Sequence, residues 1–175
     1  GKFIPGDIKK AIYYLSLAAN QNDDNAQYYL GEIYYQSLNI NLSTYYLKLS
    51  ANQNNKNAQF FLGFMYYEGK YVKQDIEKSI YYLSLSAKQN DSEAQYILGR
   101  IYYSDMHVPH DISKSIYFLT LSANQNNSNA QYVLGIIYYK NEVIPRNIDK
   151  SIYYFTLSAN QNNSDSQCAL GIIYH

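Results

Sequence analysis

Apolar residues recur along this chain with the spacing of one helical face. Ala94, Leu98, Ile101 and Tyr102 fall at i, i+4, i+7 and i+8, which is the stripe of an amphipathic α-helix. The block that carries them returns at residues 26–31, 58–63, 94–99, 130–135 and 166–171. Its Leu-Gly glycines are Gly31, Gly63, Gly99, Gly135 and Gly171, spaced by 32 residues once and by 36 thereafter. A fixed period in this range predicts a solenoid of stacked supersecondary units.

Each unit divides into two helical patterns. The first, helix A, runs from Asp91 to Tyr103 in the third full copy. Ser92 followed by Gln95 reads as a capping box, repeated by Asp24/Gln27, Ser128/Gln131 and Ser164/Gln167. Lys56/Gln59 breaks the pattern, so that helix is expected to start less cleanly. Gly99 lies inside helix A, where glycine costs about 1 kcal/mol relative to alanine. Its recurrence beside an intact apolar stripe predicts that a neighbouring helix approaches closely there. Helix B runs from Asp75 to Gln89. Asp75, Asp7, Asp111 and Asn147 are its expected N-caps. Pro5, Pro109 and Pro145 stand two residues earlier and favour an extended approach. Ser79, Tyr82, Leu83, Ser86 and Ala87 form a mixed small and large face. Asn22, Asn54, Asn90, Asn126 and Asn162 follow helix B, where asparagine is second to glycine as the left-handed closing residue. The 32-residue unit loses its four residues between Tyr35 and Tyr45, in the A-to-B loop, as expected of an exposed connection. The units are roughly 23–54, 55–90, 91–126 and 127–162, with helix B alone in 1–22 and helix A alone in 163–175, one array across 1–175.

Charge narrows the partner class. Lys+Arg and Asp+Glu are 14 each, so the net charge is zero. The basic footprint that phosphate backbones require is missing, which argues against nucleic acid and against an anionic membrane surface. One cysteine allows neither an internal disulfide nor a thiolate zinc cage. No run approaches the 18 or more apolar residues of a membrane span, so no membrane insertion is expected. No secretory signal is visible, which favours a cytoplasmic setting for a chain that starts in mid-unit. The 23 tyrosines and no tryptophan have a bland source as well as a functional one, since A- and T-rich codons favour Tyr, Asn, Ile and Lys. Tyrosine position is therefore more informative than tyrosine number.

With these residues in view, the pattern resembles the Sel-one-like repeat family, a cousin of the tetratricopeptide repeats. The matching features are Ala-x-x-x-Leu-Gly-x-x-Tyr, the apolar-Pro-x-Asp loop, and Asp-x-x-Lys-Ala/Ser with a bulky aromatic and a small-small pair. The resemblance covers essentially the whole chain. It implies an all-α fold: a right-handed α-solenoid of antiparallel helix pairs with A helices lining the concave side. It also implies a scaffold or adaptor role. Two departures keep the physical role: Asn22, Asn54, Asn90, Asn126 and Asn162 replace the family's glycine after helix B, and Tyr14, Tyr46, Tyr82, Phe118 and Tyr154 replace its frequent tryptophan. Cysteine-rich members are linked with hydrolysis of β-lactam compounds, a pattern the single Cys168 does not match.

Helix A positions outside the core stripe are the candidate partner-binding residues. One row is Tyr28, Phe60, Tyr96, Tyr132 and Cys168; a second is Glu32, Phe64, Arg100, Ile136 and Ile172; a third is Tyr35, Tyr67, Tyr103, Tyr139 and His175. Gln36, Glu68, Ser104 and Lys140 form a fourth. On one reading two aromatic ladders flank a variable, specificity-setting row in a groove that holds a protein or peptide, since aromatics offer large contact at modest entropy cost. On the other, the tyrosines only pack between successive A helices. Tyr34, Tyr66, Tyr102, Tyr138 and Tyr174 are expected in the core.

Catalysis has little support. His107 and His110 share a loop with Asp105 and Asp111, a set that could bind zinc, but other units carry Tyr71, Val143, Gln74 or Arg146 in those places, so no metal or other cofactor is expected. Cys168 has no base near it in sequence. Asn-x-Ser sequons at Asn41, Asn90, Asn126 and Asn162 arise readily in an asparagine-rich chain. The expectation is a non-enzymatic interaction scaffold; the alternative is a structural spacer arm of a larger protein with no specific groove ligand. The chain opens with helix B and closes with helix A, as an excerpt of a longer array would, and the complementary ends could also stack head-to-tail between copies.

Overall fold

The computed structural model describes residues 7–104, 108–140 and 144–175; Pro5, Asp105, His107 and Val143 lie outside them. The described residues form ten helices, with no strand among them: α1 (Ile8–Asn20), α2 (Asp24–Gln36), α3 (Ile40–Asn52), α4 (Lys56–Glu68), α5 (Ile76–Lys88), α6 (Ser92–Ser104), α7 (Ile112–Ala123), α8 (Ser128–Lys140), α9 (Ile148–Ala159) and α10 (Ser164–Tyr174). The even-numbered helices α2, α4, α6, α8 and α10 are A helices, and α1, α3, α5, α7 and α9 are B helices. Two compact units hold them, residues 1–89 and 90–175. In the first, α2 packs tightly on α3 and α4 on α5; in the second, α6 packs on α7 and α8 on α9.

Glycine sets those close pairs. A Cβ on Gly31 would lie 2.6 Å from Leu47, on Gly63 2.7 Å from Leu83, on Gly99 2.5 Å from Leu119 and on Gly135 2.5 Å from Phe155. The expected close approach is therefore present in four pairs, and each leucine or phenylalanine is buried. Helix B adds hydrogen bonds through its small face. Ser43, Ser115 and Ser151 donate to the carbonyls of Gly31, Gly99 and Gly135 at 2.8–2.9 Å. Ser50, Ser122 and Ser158 donate to Asp24, Ser92 and Ser128 in the first turn of helix A at 2.7–2.8 Å. Two serines thus tie each of these pairs at both ends, so the small face is adhesive as well as permissive.

Helix starts correct the sequence reading of helix A. Its cap lies one residue earlier than the capping box implies. Asp23, Asn55, Asp91, Asn127 and Asn163 accept the backbone N–H three residues on. The helix at Lys56 is consequently capped like the rest, by Asn55. The glutamines meant to complete the box do something else. Gln27, Gln59, Gln95 and Gln131 are buried and accept from Gln53, Gln89, Gln125 and Gln161 at 2.7–2.8 Å. Gln27, Gln59 and Gln131 also donate to the carbonyls of Ala19, Ala51 and Ala123. Within each unit this glutamine ladder satisfies polar groups that burial would otherwise penalise.

Helix B ends as expected. Asp7, Asp75, Asp111 and Asn147 are its N-caps, and Asn22, Asn54, Asn90, Asn126 and Asn162 take φ between 62° and 68°. The shortened loop adds a strained residue, Leu38, at φ 60°. The expected core row behaves differently from a core. Tyr34, Tyr66, Tyr102 and Tyr138 are half-buried and lie parallel on Tyr46, Tyr82, Phe118 and Tyr154, with centroids 5.7–6.1 Å apart. Lys78, Lys114 and Lys150 cover the outer faces of Tyr66, Tyr102 and Tyr138. Burial of this row depends on the helix B ring, and Tyr174, at the same repeat position in α10, is 71% exposed.

Candidate partner-binding site

The candidate positions recur at i, i+4 and i+7 of each helix A, so they share one helical face. In the first unit, Tyr28 and Tyr35 of α2 are half-buried and pack against the core of α3 and α4 around Leu47 and Leu62. Burial pushes the Tyr28 hydroxyl well above the usual tyrosine range, and its hydrogen bond to Glu32 adds to the shift. Tyr35 meets Phe61 edge-on at 5.0 Å and Tyr71 at 5.3 Å. Phe60 and Phe64 stack within α4 at 6.1 Å, and Tyr67 is half-buried on the same helix.

In the second unit, Tyr96 and Tyr103 of α6 pack against the core of α7 and α8. Arg100 is exposed, with its guanidinium 5.8 Å from the Tyr96 ring. Tyr103 lies 5.8 Å from His110. Tyr132 contacts Phe155 at 5.8 Å, and Arg146 sits over Tyr139 at 4.6 Å. Tyr28 and Tyr35 in the first unit, and Tyr96 and Tyr103 in the second, therefore have two sides: one packs toward the next A helix of the same unit, and the other stays partly exposed.

The structure brings five candidate positions together: Tyr132, Ile136, Tyr139, Lys140 and Ile172. Tyr132, Ile136 and Tyr139, with Lys140, edge a cleft of about 170 Å³ between α8 and α10. Its other walls are Phe155, Ala169, Ile172 and Ile173. Phe155 and Ala169 were not among the sequence candidates. Their signal was a break in the repeat: Phe155 stands where Leu47, Leu83 and Leu119 stand, and Ala169 where Phe61, Ile97 and Val133 stand. A second feature also escaped the sequence reading. Tyr13, Tyr45, Tyr81, Tyr117 and Tyr153 on the B helices are each 56–61% exposed and rest edge-on against the next ring in sequence.

Among the described residues, no three His, Cys, Asp or Glu side chains gather into a metal-binding group, and no helix is long and apolar enough to cross a membrane. Cys168 is exposed.

The Sel1 repeat family model matches residues 1–23, 24–55, 56–91, 92–127 and 128–163. A search of curated proteins gave no match. Among solved structures, the chain is similar to a protective antigen of uropathogenic Escherichia coli with an SLR fold, at 32% identity and TM-score 0.86, over 93% of this chain and 36% of that one. It is similar to a Sel1 repeat protein of Oxalobacter formigenes at 26% identity and TM-score 0.83, over 99% of this chain and 52% of that one. A Sel1 repeat protein of Klebsiella pneumoniae subsp. pneumoniae shares the fold at 20% identity and TM-score 0.60, over 86% of this chain and 74% of that one. The chain thus spans about a third and about half the length of the first two.

Proposed function

The chain belongs to the Sel1 repeat family, an all-α solenoid family whose members are generally protein-interaction scaffolds and typically non-catalytic, and from this premise we propose that it holds a peptide or protein partner on the open face of its A helices. Tyr28, Tyr35, Phe60, Tyr67, Tyr96, Tyr103, Tyr132 and Tyr139 supply the aromatic frame. Glu32, Phe64, Arg100 and Ile136 set what is accepted. The observation that carries this reading is the contrast between those two sets. The flanking positions are aromatic in four successive copies, while the row between them changes from acid to aromatic to base to aliphatic. A position that only packed the array would be expected to hold one chemistry, as Leu30, Leu62, Leu98 and Leu134 do in the core.

The half-burial of Tyr28, Tyr35, Tyr96 and Tyr103 against neighbouring cores favours the competing reading, a spacer arm whose tyrosines serve packing alone. It also governs the choice of test, because truncating Tyr96 or Tyr103 would disturb the fold along with the surface. Phe64→Ser and Arg100→Glu, singly and together, alter the variable row instead. In a pull-down from the source cell's lysate, the unaltered chain should recover a defined set of proteins that the variants lose, with far-ultraviolet circular dichroism unchanged. Equal recovery by all variants would sink the groove reading and leave the spacer.

A further inference from the structure

The cleft between α8 and α10 has a more specific chemistry than the rest of the face. Resting on the groove reading above, we propose that it seats one bulky apolar side chain of a partner peptide, with an acidic residue of that peptide placed at the C-terminal end of α8.

Size is the first reason. A cavity of about 150 Å³ lined by aliphatic and aromatic side chains holds a benzene-sized molecule, and this cleft measures about 170 Å³. The opening has a local cause. Val133, Ile97 and Phe61 fill the corresponding repeat position with larger side chains, and Ala169 does not. Ile136, Phe155, Ala169, Ile172 and Ile173 line it with carbon, so an aliphatic or aromatic group gains by burial there, at roughly 25 cal/mol per Å² removed from water.

Charge supplies the second half. Two cationic side chains stand at the Tyr139 end. Lys140 edges the cleft itself, and the Arg146 guanidinium lies 4.6 Å from the Tyr139 ring. At the opposite end, Asp165 acts on Tyr132 through its negative charge. Among the described residues, the cleft is thus apolar in the middle, with Lys140 and Arg146 at one end and Asp165 at the other. A peptide with an acidic residue beside its anchor matches the cationic end, and its orientation along α8 follows from the Asp165 carboxylate at the other. Like charges at such a rim penalise the wrong partner while opposite charges favour the right one.

Three fluorescein-labelled synthetic peptides test this by fluorescence polarisation with the full chain. One carries a single leucine followed by two glutamates, one has lysines in place of the glutamates, and one has serine in place of the leucine. The acidic leucine peptide should bind at least tenfold more tightly than either control. Ala169→Phe, which restores the side chain that Phe61 already places at this repeat position, should weaken it at least tenfold with helix content retained. Lys140→Glu combined with Arg146→Glu should shift preference toward the lysine peptide. Equal binding of the three peptides, no binding of any, or indifference to Ala169→Phe overturns the proposal. Arg100 lies outside this cleft, so loss of pull-down partners in Arg100→Glu alongside any of those results would leave the groove reading standing and remove only the cleft's chemistry.

Discussion

Leu119 rests on the bare backbone of Gly99 so closely that a Cβ there would fall 2.5 Å from the leucine Cγ and 3.2 Å from its backbone nitrogen. Because the neighbour includes backbone, it cannot swing aside as a flexible side chain would. Gly99→Ala should therefore destabilise the protein by about 1–3 kcal/mol through overpacking, outweighing the roughly 1 kcal/mol that alanine gains in helix propensity. Gly171 occupies the same repeat position in α10 with nothing within 4 Å, so Gly171→Ala should raise stability by up to about 1 kcal/mol. Urea unfolding of both variants gives the signs. A stabilised Gly99→Ala would mean the helices stand further apart than described.

The glutamine ladder should be energetically coupled. Gln131 is buried, donates to Ala123 at 3.1 Å and accepts from Gln161 at 2.7 Å. Gln131→Leu would leave the Ala123 carbonyl and the Gln161 amide without that partner, at about 1–3 kcal/mol. Gln161→Ala, at an exposed position, should cost less. A double-mutant cycle over the two should return a coupling energy on the order of 0.5–3 kcal/mol, and a value of zero would show that solvent replaces the bond at no loss.

These two tests also mark what could be read from the chain and what could not. Gly99 was legible because a helix-breaking residue inside an unbroken apolar stripe has few explanations other than close packing. The asparagines at 22, 54, 90, 126 and 162 were legible because asparagine tolerates positive φ. Gln95 was misread because a polar residue three places after Ser92 satisfies a local capping rule, and the local rule hid a long-range bond. The second row, Gln53, Gln89, Gln125 and Gln161, was the available clue, since two glutamine rows in step suggest a bond between helix A and helix B of each copy. For the site, the candidate rows were visible from periodicity alone, whereas the cleft was not. It comes from Ala169 being small while Phe155 is large, and what volume is left between them depends on how three helices meet.

Leu38 is held at φ 60° in the shortened loop, where a branched side chain is strained, and it is 63% exposed. The left-handed conformation costs an L-residue about 1–2 kcal/mol. Leu38→Gly should relieve most of that, offset by roughly 0.5–1 kcal/mol of added chain entropy in the unfolded state. The net expectation is a small rise in melting temperature, measured by circular dichroism. Leu38→Val, more branched at Cβ, should lower it. A Gly variant less stable than the parent would show that Leu38 makes a contact worth more than its strain.

Stability should form a plateau bounded by two kinds of group. On the acid side, Asp75 is held below the usual carboxylate range by the Lys78 side chain and backbone N–H, and Asp111 by the Lys114 backbone N–H first and its side chain after. Their contribution is complete above the unfolded carboxylate value of about 3.9 and disappears as pH falls through their lower folded values. Both are well solvated, so this arm should be shallow. The alkaline arm should be steeper. Burial raises Tyr28, Tyr46, Tyr82, Tyr132 and Tyr154, so the native state favours their neutral forms. That stability is complete below the unfolded tyrosine value of about 10 and is lost as pH rises from there through the folded values. Tyr28 should matter most, because the Glu32 carboxylate that accepts its hydrogen bond also repels its phenolate. Tyr28→Phe should therefore lower stability at neutral pH by about 0.5–1.5 kcal/mol, the worth of one hydrogen bond, yet lose less than the parent as pH climbs above about 10. Melting temperature against pH for the two proteins decides it. Alkaline arms of equal slope would mean that Tyr28 ionises without unfolding the helices around it.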